Sequence, residues 1–152
     1  MNIWSTFEKK RYQESKGISL HFDKGIDKDL KRKYISLVKW LRTNYAFPIH
    51  VTVYIINAEQ IPLRNGHLAF GSFRWFDKRT PIIKVASAIE THVLTELSVD
   101  DLHEQILSSL IHEITHYFQW VLKIEQRNAT SERQANYFRY RILEQYYNDS
   151  SL

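Results

Sequence analysis

Apolar residues recur along this chain with two periods, and their order predicts an α+β domain. In the segment from Gly17 to Asp23, Ile18, Leu20 and Phe22 alternate with polar residues, the period of a short strand. Asp27 can cap a helix running to about Asn44, because Leu30, Tyr34, Ile35, Leu37, Val38 and Leu41 fall near helical spacing and Pro48 follows as a stop. The β-branched and aromatic run from His50 to Asn57 predicts a strand. After the Asn65-Gly66 turn, His67–Asp77 reads as a second strand with Gly71 as a bulge, and Pro81–Ala88 as a third. Residues 89–98 carry no clear period.

Two helices are expected to close the chain. Ser98 can cap the first, with Asp101 three residues later, and apolar positions from Leu107 to Val121 carry it to about Ile124. Thr130 and Ser131 precede the second, Glu132 to about Tyr147, with Ala135, Phe138, Ile142 and Tyr146 near one face. Residues 1–16 are charged and weakly patterned, an arm or a short leading helix, and residues 1–25 as a whole are read as a flexible arm able to cover a cleft. No repeat and no second domain is expected in 152 residues.

Composition narrows the chemistry. There is no cysteine, which excludes disulfides, thiolate zinc fingers, iron–sulfur clusters and a cysteine nucleophile, so any metal must be held by His, Asp or Glu. The net charge of +4 permits an acidic partner without requiring one, and the basic groups Lys9-Lys10-Arg11 and Lys31-Arg32-Lys33 read as solvated faces. No apolar run approaches the roughly 20 residues of a membrane span, so no membrane partner and a cytoplasmic location are expected.

The chemistry-bearing motif is His112-Glu113-Ile114-Thr115-His116, an HExxH on a predicted helix. Residues four apart lie one turn apart on one face, so His112 and His116 can grip a single ion; neutral imidazoles suit Zn²⁺. Glu113 falls beside the ion, where it can take a proton from activated water as general base. A catalytic zinc site usually has a third protein ligand. No histidine follows His116, and Leu122 stands where the metzincin pattern needs one, so the downstream candidates are Glu125, Glu132, Glu144 and Asp149. Glu125 lies about 13 Å further along the same helix at 1.5 Å per residue and cannot reach back. Glu144 and Asp149 come late in the last helix, leaving Glu132 as the best candidate, with Asn136 one turn on placed to hydrogen-bond the free nitrogen of a ligating histidine.

HEITH followed by Glu132-Arg133-Gln134-Ala135-Asn136-Tyr137-Phe138 resembles the gluzincin pattern of HExxH plus a glutamate on a following helix. ExxANxF is similar to the ImmA/IrrE-type peptidases, and the short spacing resembles that of the single-domain minigluzincins. Thr115 stands where ImmA/IrrE-type motifs often carry Gly, and SprT-like proteases take a third histidine that this chain lacks downstream. The resemblance implies one zinc per chain on His112, His116 and Glu132, Glu113 as general base, and a zincin-like single domain. That domain would have an N-terminal helix, a small, mostly antiparallel sheet of three to four strands, an active-site helix and a C-terminal helix. An edge strand would align a protein or peptide substrate.

From the pattern alone, Pro81–Ala88 is the strand expected to offer that edge. Phe70, Phe73, Trp75 and Phe76 read as core and hairpin packing. His67, His103, Tyr117, Tyr137 and Tyr140 are all open as oxyanion stabilisers. The alternative expectation is a catalytically silent or regulatory binding module on a zincin scaffold, with nucleic acid as its partner.

Overall fold

Local signals set the helices where the pattern places them. In the computed structural model, which describes residues 2–12, 14–75, 80–88, 98–124 and 126–151, Asp27 caps α2 (Lys28–Asn44) by accepting from Leu30 N–H at 3.0 Å. Ser98 does the same for α3 (Val99–Val121), accepting from Asp101 N–H at 3.1 Å. α3 stops short of Ile124 because Lys123 takes a left-handed conformation at φ 54°. Ile124 N–H then bonds Gln119 C=O and Lys123 N–H bonds Trp120 C=O, a Schellman closure that turns the chain.

The last helix departs from expectation at its start. α4 spans Asn128–Ser150, so Glu132 lies within the helix instead of opening it. Thr130 and Ser131 do not cap it: Arg127 occupies the cap position without a side-chain bond, and the Ser131 hydroxyl is engaged elsewhere. α4 packs along α3 through Ala135, Phe138, Ile142 and Leu143.

The sheet is mixed, which corrects the expectation of a mostly antiparallel one. β1 (Ile18–Phe22), β2 (Val51–Ile56) and β6 (Ile82–Ala86) run parallel, with Leu20 opposite Val53 and Val53 opposite Ile83. α2 makes the crossover from β1 to β2, as parallel pairing requires. Only β5 (Gly71–Arg74) is antiparallel, pairing Ser72 with Lys84. The order is β1-β2-β6-β5, so β6 is internal and β1 and β5 are the outer strands; Pro81–Ala88 is not an edge. The expected single strand His67–Asp77 is divided in its described part. β3 (Ile61–Pro62) pairs with β4 (Leu68–Ala69) in a small hairpin, and Gly71 begins β5 instead of bulging.

Of the two readings of the leading residues, the short helix holds and the arm does not: they form part of the core. α1 (Ile3–Thr6) buries Ile3 and Trp4, and Phe7 follows, the three at 0–1% exposure. Phe7 stacks on Phe118 with centroids 4.3 Å apart, and Trp4 donates its indole N–H to Thr115 Oγ1 at 3.0 Å. Removing a core Phe or Trp costs about 3–5 kcal/mol, so these contacts hold α1 firmly. Thr115 anchors the N-terminal segment beneath α3 by accepting from Trp4 while donating to Ile111 C=O. Among the described residues no helix is long and apolar enough to cross a membrane. The ambiguous stretch 89–97, with Phe76 and Glu125, lies outside the described residues.

Candidate metal centre

Helical periodicity and the antiparallel return of α4 together assemble the site. His112 and His116 stand one turn apart on α3, their Nε2 atoms 3.2 Å apart. From α4, Glu132 places Oε2 3.0 Å from His112 Nε2 and Oε1 2.9 Å from His116 Nε2. Ligand atoms at 2.0–2.1 Å from a tetrahedral ion are separated by about 3.3 Å, close to all three of these spacings. This donor set can hold one divalent cation of zinc's size.

Hydrogen bonding on the far side of His116 decides which nitrogen faces the centre. Gln119 donates its amide N–H groups to Ser131 C=O at 3.1 Å and Gln134 Oε1 at 2.8 Å, which leaves Gln119 Oε1 as acceptor. His116 Nδ1 lies 2.9 Å from that oxygen and therefore donates to it, so Nε2 is the nitrogen turned toward Glu132 and His112. Ser131 Oγ, donating to Gln119 Oε1 at 2.6 Å, sits 3.2 Å from the same Nδ1 and completes the cradle.

Asn136, expected in that supporting role, is exposed and bonds neither imidazole. Gln119 and Ser131 take its place. Their sequence signal was present in part, since Gln119 is three residues beyond His116 on the same helix. Ser131 lies 15 residues away and depends on the return of α4. His112 Nδ1 is buried with no hydrogen-bond partner.

The electrostatics assign different characters to the two glutamates. Hydrogen bonds from His112 and His116 hold the Glu132 carboxyl far below the usual carboxylate range, as a permanent anion. Burial pushes the Glu113 carboxyl up, against the pull of His112 and His116. At His116 burial opposes the charge, yet the bond to Glu132 and the nearby Glu113 raise its pKa overall.

Glu113 is 7% exposed and lies against the start of the edge strand. A Cβ at Gly71 would meet Glu113 Cγ at 3.0 Å and Oε1 at 3.2 Å, so any larger residue here would press on the Glu113 side chain. Along β5, Ala86 N–H donates to Phe70 C=O at 2.8 Å. Antiparallel residues alternate in facing their partner, so Phe70, Ser72 and Arg74 face β6, and the N–H and C=O of Gly71 and Phe73 face outward. A cleft of about 690 Å³ runs beneath this edge, bounded by Ile49, Phe73, Trp75, Trp120, Glu113 and Glu132. Trp75 is 51% and Phe70 63% exposed, so neither belongs to the core, contrary to expectation.

The other expected residues lie elsewhere. The Tyr117 hydroxyl is spent on the Ile49 backbone, donating to C=O and accepting from N–H, and burial pushes its pKa well up. His103 lies buried near α2 and bonds Lys33. His67 is exposed beside the hairpin turn, Tyr137 packs over Arg141, and Tyr140 lines a second cavity. Glu144 is exposed, and Asp149 accepts from the Trp40 indole at 2.8 Å. Comparison with protein-family models, curated proteins and solved structures finds no match to this chain.

Proposed function

We propose that this chain is a zinc-dependent metallopeptidase of the gluzincin type, hydrolysing peptide bonds with Glu113 as general base. The observation that carries the reading is the meeting of His112 Nε2, His116 Nε2 and Glu132 carboxylate oxygens within about 3 Å of one another, with a buried second glutamate beside them. Two structural histidines on an amphipathic helix have no need of a carboxylate shared between their Nε2 atoms, nor of a glycine that makes room for Glu113.

A bound zinc ion supplies Lewis-acid activation of water and of the substrate carbonyl. The chain's own residues do the rest. Glu113, with its pKa raised by burial, takes the proton of the attacking water at a carboxylate oxygen and returns it to the departing amine. The outward N–H and C=O of Gly71 and Phe73 pair with an extended peptide and lay its scissile bond across α3. The wall of Phe73, Trp75 and Trp120 excludes water on one side.

Glu113→Gln separates binding from chemistry. Elemental analysis is expected to find one zinc per chain in both wild type and variant. Cleavage of a mixed peptide library falls by about 10²–10⁴-fold in the variant. A chain that holds no zinc, or a variant that cleaves at the wild-type rate, overturns the reading. Salt-dependent DNA binding without cleavage of any peptide would favour a nucleic-acid module instead.

A further inference from the structure

A second cavity, about 480 Å³, opens on the other side of the metal centre, where Phe70 and Ala86 meet α3 and α4. Leu102, Ile106 and Tyr140 give it apolar walls, Arg139 supplies its cation, and Glu59 lines its rim with an exposed carboxyl. Arg139 lies seven residues beyond Glu132, two turns along the same face of α4. Its guanidinium is held from behind: Nε and Nη2 donate to Ser108 Oγ at 3.2 and 3.0 Å, and Nη2 to Ser109 Oγ at 3.2 Å. Both serines are buried and direct their own hydroxyl protons to Gln105 C=O at 2.7 and 3.3 Å. Those bonds account for Nε and Nη2, leaving the Nη1 edge for another partner.

Among the described residues no carboxylate, Glu59 of the same cavity included, forms an ion pair with Arg139, although its charge acts on Glu113. A half-buried guanidinium pinned by two neutral hydroxyls keeps its Nη1 hydrogens and its full charge for an anionic oxygen. Strand direction says which part of a substrate arrives there. A peptide pairing antiparallel with β5 runs from the Trp75 end toward the Phe70 end, so residues following the cleaved bond enter the Arg139 cavity.

We infer that Arg139 is a specificity residue that binds a substrate carboxylate on the C-terminal side of the scissile bond, either an Asp or Glu side chain or the peptide's own terminus. The inference rests on the peptidase reading for its orientation, and its test is therefore a binding measurement that needs no turnover.

Calorimetry on the full chain carrying Glu113→Gln compares three peptides of one sequence: one with Glu after the scissile position and an amidated end, one with Gln there and an amidated end, and one with Gln there and a free terminal carboxylate. The Glu or the free-carboxylate peptide is expected to bind about 10–100-fold more tightly than the neutral one. Whichever of the two gains identifies the source of the carboxylate. Adding Arg139→Gln removes that advantage while the neutral peptide binds as before, and Arg139→Lys restores part of it.

Equal binding of all three peptides, no binding of any, or an Arg139→Gln effect that is the same on the neutral peptide overturns the inference. A carboxylate preference in binding, combined with no cleavage by the chain with Glu113 intact, leaves Arg139 as a carboxylate site and removes the peptidase reading. Cleavage without such a preference does the reverse.

Discussion

Among the described residues two clusters bring histidine and carboxylate oxygens within reach of one ion, and their hydrogen bonding differs. His112, His116 and Glu132 form the first; His103, Asp27 and Asp29 form the second. Residue type alone would rank the two clusters equally, since the latter has two acids in place of one. The difference lies in what the lone pairs already do. His103 Nδ1 lies 2.8 Å from Lys33 Nζ, an ammonium that can only donate, so that lone pair is taken. The same ammonium lies 3.3 Å from an Asp29 oxygen and 3.0 Å from Asp100. A cation is already built into the chain there. At His116 the outer nitrogen donates to Gln119, and the inner nitrogen faces the shared carboxylate with no cation of the chain between them. Supporting hydrogen bonds, more than the inventory of ligands, decide whether a His–carboxylate cluster is a metal centre or a structural ion pair.

The comparison breaks most sharply at Glu132. Glu132→Ala is expected to lower zinc affinity by more than the about 10–100-fold that loss of an outer hydrogen-bond partner costs, read by competition with a chromophoric chelator. A variant that keeps its zinc would place the third ligand elsewhere.

Lys33→Met addresses the other cluster. It strands buried His103 and two carboxylates without their cation, and Tm is expected to fall by about 2–4 °C while zinc stoichiometry stays at one. A rise to two zinc ions would mean that Lys33 was only masking an equivalent site.

The smallest effect is in pH. Burial, and then the charge of Lys33, lower the His103 pKa, against the pull of Asp27, Asp29 and Asp100. The unfolded state therefore takes up a proton more readily than the folded one, and stability declines as pH falls through about 6.5. His103→Gln is expected to flatten that decline between about pH 7 and 5 in urea unfolding curves; an unchanged slope would show that another group titrates there.

Lys33 also shows the limits of reading charge from a string. Lys31-Arg32-Lys33 has the pattern of a solvated basic face, and Lys31 and Arg32 are exposed. Lys33 differs because α2 sets it opposite the first turns of α3, some 70 residues on, where Asp100 and His103 await it. Phe70 and Trp75 fail in the same way, since β-propensity reports that a residue suits a strand and not which face or edge the strand occupies.

What the linear order determined by itself is whatever acts within a few residues. The caps at Asp27 and Ser98, the helical phase that sets His112 over His116, and the sideways placement of Glu113 all depend on short backbone spacings. Tertiary structure alone decided the rest. It made the sheet parallel at β1, β2 and β6, put β5 and not Pro81–Ala88 at the edge, and buried Trp4 beneath Thr115. It also gave Gln119 and Ser131, and not Asn136, to the His116 imidazole, and set Arg139 in a cavity of its own. Each of these is a meeting of segments far apart in the chain. Such meetings are governed by which buried surfaces fit and which polar atoms find partners, and no local period records that choice.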